Sequence, residues 1–312
     1  MINCTIIANC QQKPLKFLLR SVGQFNDTYR IRNIAHVQTW SRQQINNISD
    51  VYDNSDIILT QPLLSDYFGK FQTQSLLEFN YKAKNIPIII FPSVEFNGFF
   101  PFSIRIPIMP ERIFAPEAQC GIVFWSFING YDEDQAYAFC NDFYNDYSRA
   151  DLYRSIYSVA LARLEAIETT LGIQANISYL FRNKYTDEKL MHNRYHPANV
   201  VFAFIANRIL STLGIYHKVV APQREFMIQD ELPISQSIKN ALGITFDDDN
   251  CFYNLGILQA MPDYISSVYS FYRQNPPTVE STIKMSEHKL RVIDNIIKHK
   301  YDDLDILALF HW

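Results

Sequence analysis

The sequence predicts an α/β fold built on a parallel sheet. Short runs of β-branched apolar residues recur in the N-terminal third, and segments with helical periodicity separate them. Of the 312 residues, 48% are hydrophobic and 19% are charged. This composition can form a large core, as one big domain or as two modest ones, and strands that alternate with helices connect through right-handed crossovers.

Four strands are expected in the N-terminal part of the chain. The first is a short apolar run of the kind found in buried parallel strands. The expected strands are Ile2 to Ala8, Tyr29 to Val37, Asp56 to Thr60 and Ile86 to Phe91. Pro14 suits the first turn of a helix after the first strand, and Ser41 suits the cap of a helix that reaches about Val51.

The segment from Phe96 to Phe127 is rich in Pro, Phe and Ile and is expected to be an irregular loop that covers a surface. Helical spacing dominates afterwards. The expected helices are Asp132 to Tyr147, Asp151 to Leu171, Pro197 to Leu213, Leu255 to Tyr272 and Ser281 to Lys298. Because the helical pattern weakens beyond Gly214, we expect an α/β core over residues 1–215, where the candidate residues for catalysis described below also lie, and a mainly helical C-terminal extension, packed on that core, over residues 216–312.

Composition argues against several classes of protein. The net charge of -4 and the absence of a basic stripe disfavour nucleic acid as a partner. The start of the chain has no basic segment of a secretory signal, and no apolar run is long enough for a transmembrane segment. Five cysteines without a CxxC pair disfavour a disulfide framework or a zinc site. A cytoplasmic protein with reduced thiols and no metal is expected.

Cys10 is the first candidate for chemistry. It lies in the turn Asn9-Cys10-Gln11, between the first strand and the helix that opens near Pro14. In open parallel sheets, ligands bind beyond the carboxyl ends of the strands. Unpaired N–H groups at a helix start would lower the pKa of a thiol there. The alternative, slightly favoured by spacing alone, is that Cys10 is a small packed apolar residue.

His196 is the second candidate. It immediately precedes Pro197 at a junction between a loop and a helix, from which an imidazole can reach a nucleophile on another loop. The alternative is a surface or capping histidine, and His192 is a nearby competitor. The side-chain amides of Gln61 and Asn97 follow the third and fourth strands and could donate to an oxyanion, or could cap loop carbonyls.

These pieces, taken in order, resemble the WcbI family of polysaccharide-biosynthesis acetyltransferases, which is similar in architecture to flavodoxin-like and SGNH hydrolase folds. The resemblance covers roughly residues 1–215. Its motifs are Ala8-Asn9-Cys10-Gln11, then Asp56 with Gln61-Pro62, then Pro92, Phe96, Gly98 and Pro101, and finally Asn193 to Pro197. The chain departs from the family pattern at Ala8, where a glycine is usual, and at Arg194-Tyr195.

The resemblance implies coenzyme A or acetyl-coenzyme A as co-substrate and O-acetylation of a capsular or surface sugar. Cys10 would form an acyl-enzyme or lie beside the thioester, and His196 would move protons. Gln61, Asn97 and the amides near Gln11 would stabilise the oxyanion. Candidate groups for the cofactor are Asn9, Gln11, Lys13, Arg20, Arg182, Lys184 and Arg194. The alternative for each of the five cations, and the commoner case, is a solvated surface charge.

Two other functions remain open. An esterase or deacetylase acting on the same kind of sugar ester would need nearly the same residues, because water and sugar hydroxyls are activated alike. A non-catalytic module that binds coenzyme A, a nucleotide or a sugar would need no reactive thiol at Cys10.

Overall fold

The computed structural model describes residues 1–46, 48–64, 68, 71–82, 85–106, 118–248, 251–254, 256–300 and 304–310. The strands are β1 (Ile2–Ile7), β2 (Tyr29–Ile31), β3 (Ile57–Thr60), β4 (Ile88–Ile90), β5 (Ser103–Arg105), β6 (Ala118–Cys120), β7 (Phe252–Asn254) and β8 (Ile257–Gln259). The first helices are α1 (Gln12–Arg20), α2 (Gly23–Thr28), α3 (Arg42–Asn46), α4 (Ile48–Asp53), α5 (Thr73–Lys82), α6 (Gly121–Ile128) and α7 (Glu133–Tyr144). The later helices are α8 (Ala150–Thr170), α9 (Ser178–Lys184), α10 (Asn199–Thr212), α11 (Gln236–Leu242), α12 (Met261–Gln274), α13 (Pro276–Met285) and α14 (Glu287–Ile297).

The chain forms two compact units. Unit 1 comprises residues 1–94, 165–180 and 199–226, and unit 2 comprises residues 95–164, 181–198 and 227–312. Each unit draws on separate stretches of sequence. The sequence-based division at residue 215 stays a prediction.

Unit 1 contains a parallel sheet with the strand order β2-β1-β3-β4. After β1 the chain first adds β2 on one side of β1 and then adds β3 on its other side. The topological switch point therefore lies between β1 and β3. In the register of that pair, Ile7 lies opposite Thr60. The residues that follow these two strands therefore begin at the same edge of the sheet, which is where such folds bind ligands.

The sheet is held by apolar residues on both faces, as expected for a parallel sheet. Ile6 and Ile7 of β1 and Ile58 of β3 are completely buried. On one side a core cluster joins Ile7 and Ile58 to aromatic residues such as Trp40 and Tyr52. Helix α1, which buries Leu15 and most of one face, packs against α10 within the same unit.

Unit 2 is mainly helical. Helix α7 packs against α12, and α6 packs against α14. The described residues of this unit also form the antiparallel strand pairs β5–β6 and β7–β8. Asp132 caps α7 through a reciprocal capping box with Gln135, as its sequence favours. The predicted α/β fold with a parallel sheet and a helical C-terminal part is thus confirmed.

Three predicted segments differ in the structure. The expected loop from Phe96 to Phe127 contains β5, β6 and α6, and its phenylalanines at positions 96, 99, 100 and 102 are buried and do not cover a surface. Residues 107–117 of this segment lie outside the described residues. The α6 sequence is apolar on all sides, so it lacks the two-faced pattern by which surface helices are recognised.

The second difference is at the edge of the sheet, where β2 ends at Ile31 and does not continue to Val37. The Val37 N–H donates to the Ala8 carbonyl at 2.9 Å, because the chain leaves the edge of the sheet and crosses the end of β1.

The third difference is near the C-terminus. The expected helix from Leu255 to Tyr272 is replaced by the β7–β8 hairpin, with Gly256 at a φ of 78°, and by α12. Helix α12 ends at Gln274 and α13 begins at Pro276, because proline suits the first turn of a helix. In the described part of the chain, no helix combines the length and apolar character needed to span a membrane.

Candidate functional site

Cys10 lies in the turn that leaves β1, two residues before α1 begins. Its side chain is half-buried, and none of the five cysteines, all of them described, forms a disulfide. The turn follows the strand at the switch point of the sheet, where ligands bind in this class of fold. The thiol is therefore in the position that the sequence predicted, at the carboxyl edge of the unit 1 sheet.

Asn9 shapes this turn with both its side chain and its backbone. The Asn9 Oδ1 accepts a hydrogen bond from the Gln11 N–H at 2.9 Å, and the Asn9 carbonyl accepts one from the Gln12 N–H at 2.9 Å. The Cys10 N–H donates to the Gln38 Oε1 at 3.2 Å. The three amides from Cys10 to Gln12 thus have protein acceptors.

This arrangement corrects one step of the sequence argument. We expected unpaired N–H groups to face the Cys10 thiol, but the Asn9 side chain and carbonyl occupy those of Gln11 and Gln12. An asparagine in a turn commonly accepts from the amide two residues ahead, which competes with a ligand for that donor. Ala8 is accommodated because its φ is not positive, so the turn does not require glycine there.

Two glutamines link the strand ends. The Gln61 Nε2 donates to the Gln11 Oε1 at 2.9 Å and to the Pro92 carbonyl at 3.2 Å, and the Gln61 Oε1 accepts from the Asn9 N–H at 2.9 Å. Gln11 also exchanges hydrogen bonds with the backbone of Val94 at 2.8 and 3.0 Å. Both glutamine side chains are buried. They fix the backbone around Cys10, and an oxyanion role for Gln61 stays a prediction.

The remaining cysteines differ from Cys10 in burial. Cys4 is fully buried in β1, and desolvation raises its pKa to about 12. Burial also raises the pKa of Cys120 and of Cys140. These three thiols are therefore protonated at neutral pH and unreactive. Cys251 is the other half-buried cysteine.

His196 belongs to unit 2 and is held by Asn193. The Asn193 Oδ1 accepts from the backbone N–H groups of Tyr195 (2.8 Å) and His196 (3.0 Å). The Asn193 Nδ2 lies 3.1 Å from the His196 Nδ1 and also donates to the Asp230 carbonyl. Burial, together with the nearby His192, lowers the pKa of His196 to about 4. The half-buried ring is therefore neutral at physiological pH and can accept a proton.

His192 has a different environment from His196. Its ring is buried, and its Nδ1 lies 2.9 Å from the Glu231 Oε2. Lys189 pairs with both Glu231 and Asp248, and Lys239 contacts Asp248 as well. Burial disfavours the Glu231 carboxylate, but the hydrogen bond from His192 and the charge of Lys189 hold its pKa below the usual range. The network favours a structural role for His192.

The other predicted groups occupy varied environments. In unit 2, the Asn97 Nδ2 donates to the Leu309 carbonyl at 2.7 Å. Arg194 is buried, and its guanidinium donates to the Glu95 Oε1 at 2.6 and 2.8 Å and to the Phe310 carbonyl at 3.1 Å. Lys13 is exposed at the first turn of α1 in unit 1. A phosphate-binding role for Arg194 stays a prediction, as does the pairing of Cys10 with His196.

The sequence did not predict that Gln38 would bond the backbone of Cys10 or that Asp230 would bond Asn193. Gln38 lies in a short turn 28 residues after Cys10, and Asp230 lies 37 residues after Asn193. Nothing local distinguishes these two residues from other polar loop residues. Asn193 belongs to the motif that the sequence analysis named, and an asparagine that precedes a histidine by three residues can bond its backbone. Among the described residues no cluster of metal-ligating side chains occurs.

The open parallel sheet of unit 1, with a thiol and buried amides at its carboxyl edge, defines an α/β protein of the class that binds ligands at a switch point. A family model described as polysaccharide biosynthesis enzyme WcbI matches residues 3–218. The chain belongs to this family of polysaccharide biosynthesis enzymes, which confirms the resemblance found in the motif order.

A solved structure is similar over 99% of both chains, with a TM-score of 0.77 and 14% sequence identity. It is described as giving structural insights into WcbI, a novel polysaccharide biosynthesis enzyme, as native protein without a disulfide bond between coenzyme A and a cysteine of that protein. At this identity the likeness shows a shared fold. No curated protein matches the chain significantly.

Proposed function

We propose that this protein transfers an acyl group, an acetyl group in the simplest case, from a coenzyme A thioester to a hydroxyl of a sugar in polysaccharide biosynthesis. The observation that carries the proposal is the half-buried Cys10 thiol at the switch point of the unit 1 sheet. The similar structure supports it, since the description of that protein refers to coenzyme A and a cysteine together. The coenzyme A thioester is the acyl donor in this reaction and therefore a substrate.

The turn around Cys10 has features that suit such a substrate. Asn9 and Cys10 are half-buried, so a substrate can reach the turn. The buried side chains of Gln11 and Gln61 fix the backbone of the turn through hydrogen bonds. Lys13 offers an exposed cation three residues further along the chain for an anionic group of the donor. A turn held by hydrogen bonds, with one half-buried thiol, is a suitable place for a thioester carbonyl.

Two routes of transfer fit these residues. In the covalent route the Cys10 Sγ attacks the thioester carbonyl, the carbon–sulfur bond to coenzyme A breaks, and coenzyme A leaves as a thiol after taking a proton. The sugar hydroxyl then attacks the acyl-enzyme and gives up its proton, the bond between the acyl carbon and the Cys10 Sγ breaks, and the thiol is regenerated. In the direct route the hydroxyl attacks the thioester itself, the carbon–sulfur bond to coenzyme A breaks, and coenzyme A leaves as a thiol with the proton that the hydroxyl gave up. His196, neutral at physiological pH, is proposed to accept the hydroxyl proton in either route.

Native mass spectrometry of the whole chain with acetyl-coenzyme A tests the proposal. We expect a one-to-one complex and, with acetyl-labelled donor and a panel of sugar acceptors, label on an acceptor. Cys10→Ser is compared with Cys251→Ser, because Cys251 is the other half-buried thiol. Loss of transfer only in Cys10→Ser supports the covalent route, and retained transfer supports the direct route.

The proposal fails if the chain forms no complex with coenzyme A or acetyl-coenzyme A. Release of acetate from simple acetyl esters without any acceptor, with no complex of coenzyme A, would favour the esterase alternative.

A further inference from the structure

A cleft of about 300 Å³ opens within unit 2 beside helix α7. Helix α7 and the residue that follows it contribute Tyr137, Asn141 and Asn145, and segments 233–236 and 260–262 form the other walls. We call this space the α7 cleft. Its volume lies at the lower end of the range for small-molecule sites, which suits a ligand the size of one sugar ring.

The α7 cleft is lined by uncharged groups. No lining side chain among the described residues carries a charge. Tyr137 has 42% of its surface exposed. Within the described part of the chain, neither its hydroxyl nor the Asn141 amide nitrogen donates to a protein group, so both are available to a ligand. Gln236 donates to the Asn240 Oδ1 at 3.0 Å, which leaves its own oxygen as an acceptor.

This chemistry matches an uncharged sugar. A pyranose ring has an apolar face of C–H groups and a rim of hydroxyls that both donate and accept. An exposed tyrosine ring provides apolar contact, and primary amides provide a donor and an acceptor on one rigid group. A nucleotide or a phosphate would require cations, which the described lining residues do not supply.

The α7 cleft is continuous in sequence with the residues that hold His196. The Asp230 carbonyl accepts from Asn193, and the Leu232 N–H donates to the His192 carbonyl at 2.9 Å. The chain then runs directly into segment 233–236, which lines the cleft. Residues 230–236 of unit 2 therefore run from the hydrogen-bond partner of Asn193, which holds His196, to the wall of this cleft.

We infer that the α7 cleft binds an uncharged sugar unit of a polysaccharide or its precursor, with Tyr137 against the ring face and Asn141 on the hydroxyls. This inference rests on the chemistry of the cleft and on the family's role in polysaccharide biosynthesis. It goes beyond the proposed acyl transfer, because it assigns a carbohydrate site whether or not the chain transfers an acyl group.

Ligand-observed NMR with the full chain tests the inference. The probes are neutral methyl glycosides and neutral disaccharides of common hexoses and deoxyhexoses, with methyl glucuronide as the charged comparison. At least one neutral probe is expected to bind, and Tyr137→Ala or Asn141→Ala is expected to weaken it about tenfold. Tyr216→Ala is the matched control, because Tyr216 is 89% exposed and lies outside the cleft.

The outcomes separate this inference from the proposed function. Binding lost in Tyr137→Ala and Asn141→Ala but retained in Tyr216→Ala supports the cleft, and native mass spectrometry of the same variants should show coenzyme A binding equal to that of the unmodified chain. No binding of any neutral probe, binding of the glucuronide alone, or binding unchanged by both cleft substitutions overturns it. Failure to bind coenzyme A would leave the carbohydrate result unaffected.

Discussion

The side-chain amide of Gln61 donates to the side-chain oxygen of Gln11 at 2.9 Å and joins the end of strand β3 to the turn after β1. Both side chains are buried, and the second Gln61 hydrogen bond reaches the Pro92 carbonyl beyond β4. Three neighbouring parallel strands are thus tied together at their carboxyl ends by neutral amides. Because Cys10 lies inside this arrangement, the glutamines determine where its backbone sits.

Gln61→Glu should destabilise the protein by about 3 kcal/mol, because a carboxylate cannot donate to Gln11 and Pro92 and would be buried against two acceptors. Urea denaturation measures the change in the free energy of unfolding. Gln24→Glu, an exposed position in α2, should change it by less than about 0.5 kcal/mol. A loss below about 1 kcal/mol for Gln61→Glu would contradict the role assigned to this amide.

The sheet was predictable from sequence because its strands are short apolar runs between polar turns. Cys10 and Gln61 could be placed at one edge, since both follow such runs and parallel strands end on the same side. The hydrogen-bond partners of the Gln61 side-chain amide could not be predicted. Asn9 and Pro92 become partners of Gln61 only through backbone positions that distant residues set.

Helix α6 shows why some elements outside the parallel sheet could not be predicted from the sequence. Six of its residues, from Gly121 to Ser126, are buried, so its sequence shows no polar face. Gly121 starts this helix where a Cβ would lie 2.2 Å from the Phe102 carbonyl oxygen, which requires glycine. Such a close approach depends on tertiary packing, and no local pattern predicts it.

Cys10 should be the first cysteine to react with iodoacetamide at neutral pH. Cys4, Cys120 and Cys140 are buried, and their raised pKa values leave almost no thiolate at pH 7. Peptide mapping over time gives the rate at each thiol. Cys251, the other half-buried cysteine, is the internal comparison. Labelling of Cys251 ahead of Cys10, or of all five at one rate, would count against a functional thiol at this turn.

The stability of the protein should fall as pH is lowered from about 6.5 to about 4, in part because of His196. Its pKa is about 4 in the folded chain and near 6.5 when unfolded, so between these values only the unfolded chain binds the proton. The loss reaches about 3 kcal/mol at pH 4. Denaturation of His196→Gln across this range should show a shallower decline than the unmodified protein.

His217→Gln is the control for that experiment, because His217 is exposed. Its decline with pH should match that of the unmodified protein. An identical decline in His196→Gln and His217→Gln would mean that His196 does not keep a depressed pKa in the folded state.

His196, and not His192, should be required for acyl transfer. His192 is buried against Glu231, whereas the half-buried His196 is neutral above a pKa of about 4. His196→Gln should lower kcat/KM by about 100-fold or more, and His192→Gln by less than about tenfold once its loss of stability is allowed for.

The pH profile of kcat/KM tests the same role of His196, because activity should fall along its acid limb as the pH drops through about 4. Asn193→Asp places a carboxylate beside the His196 Nδ1, which favours the imidazolium and should move that limb to higher pH. A purely structural His196 would not shift the limb in Asn193→Asp, and loss of activity only in His192→Gln would reverse the assignment.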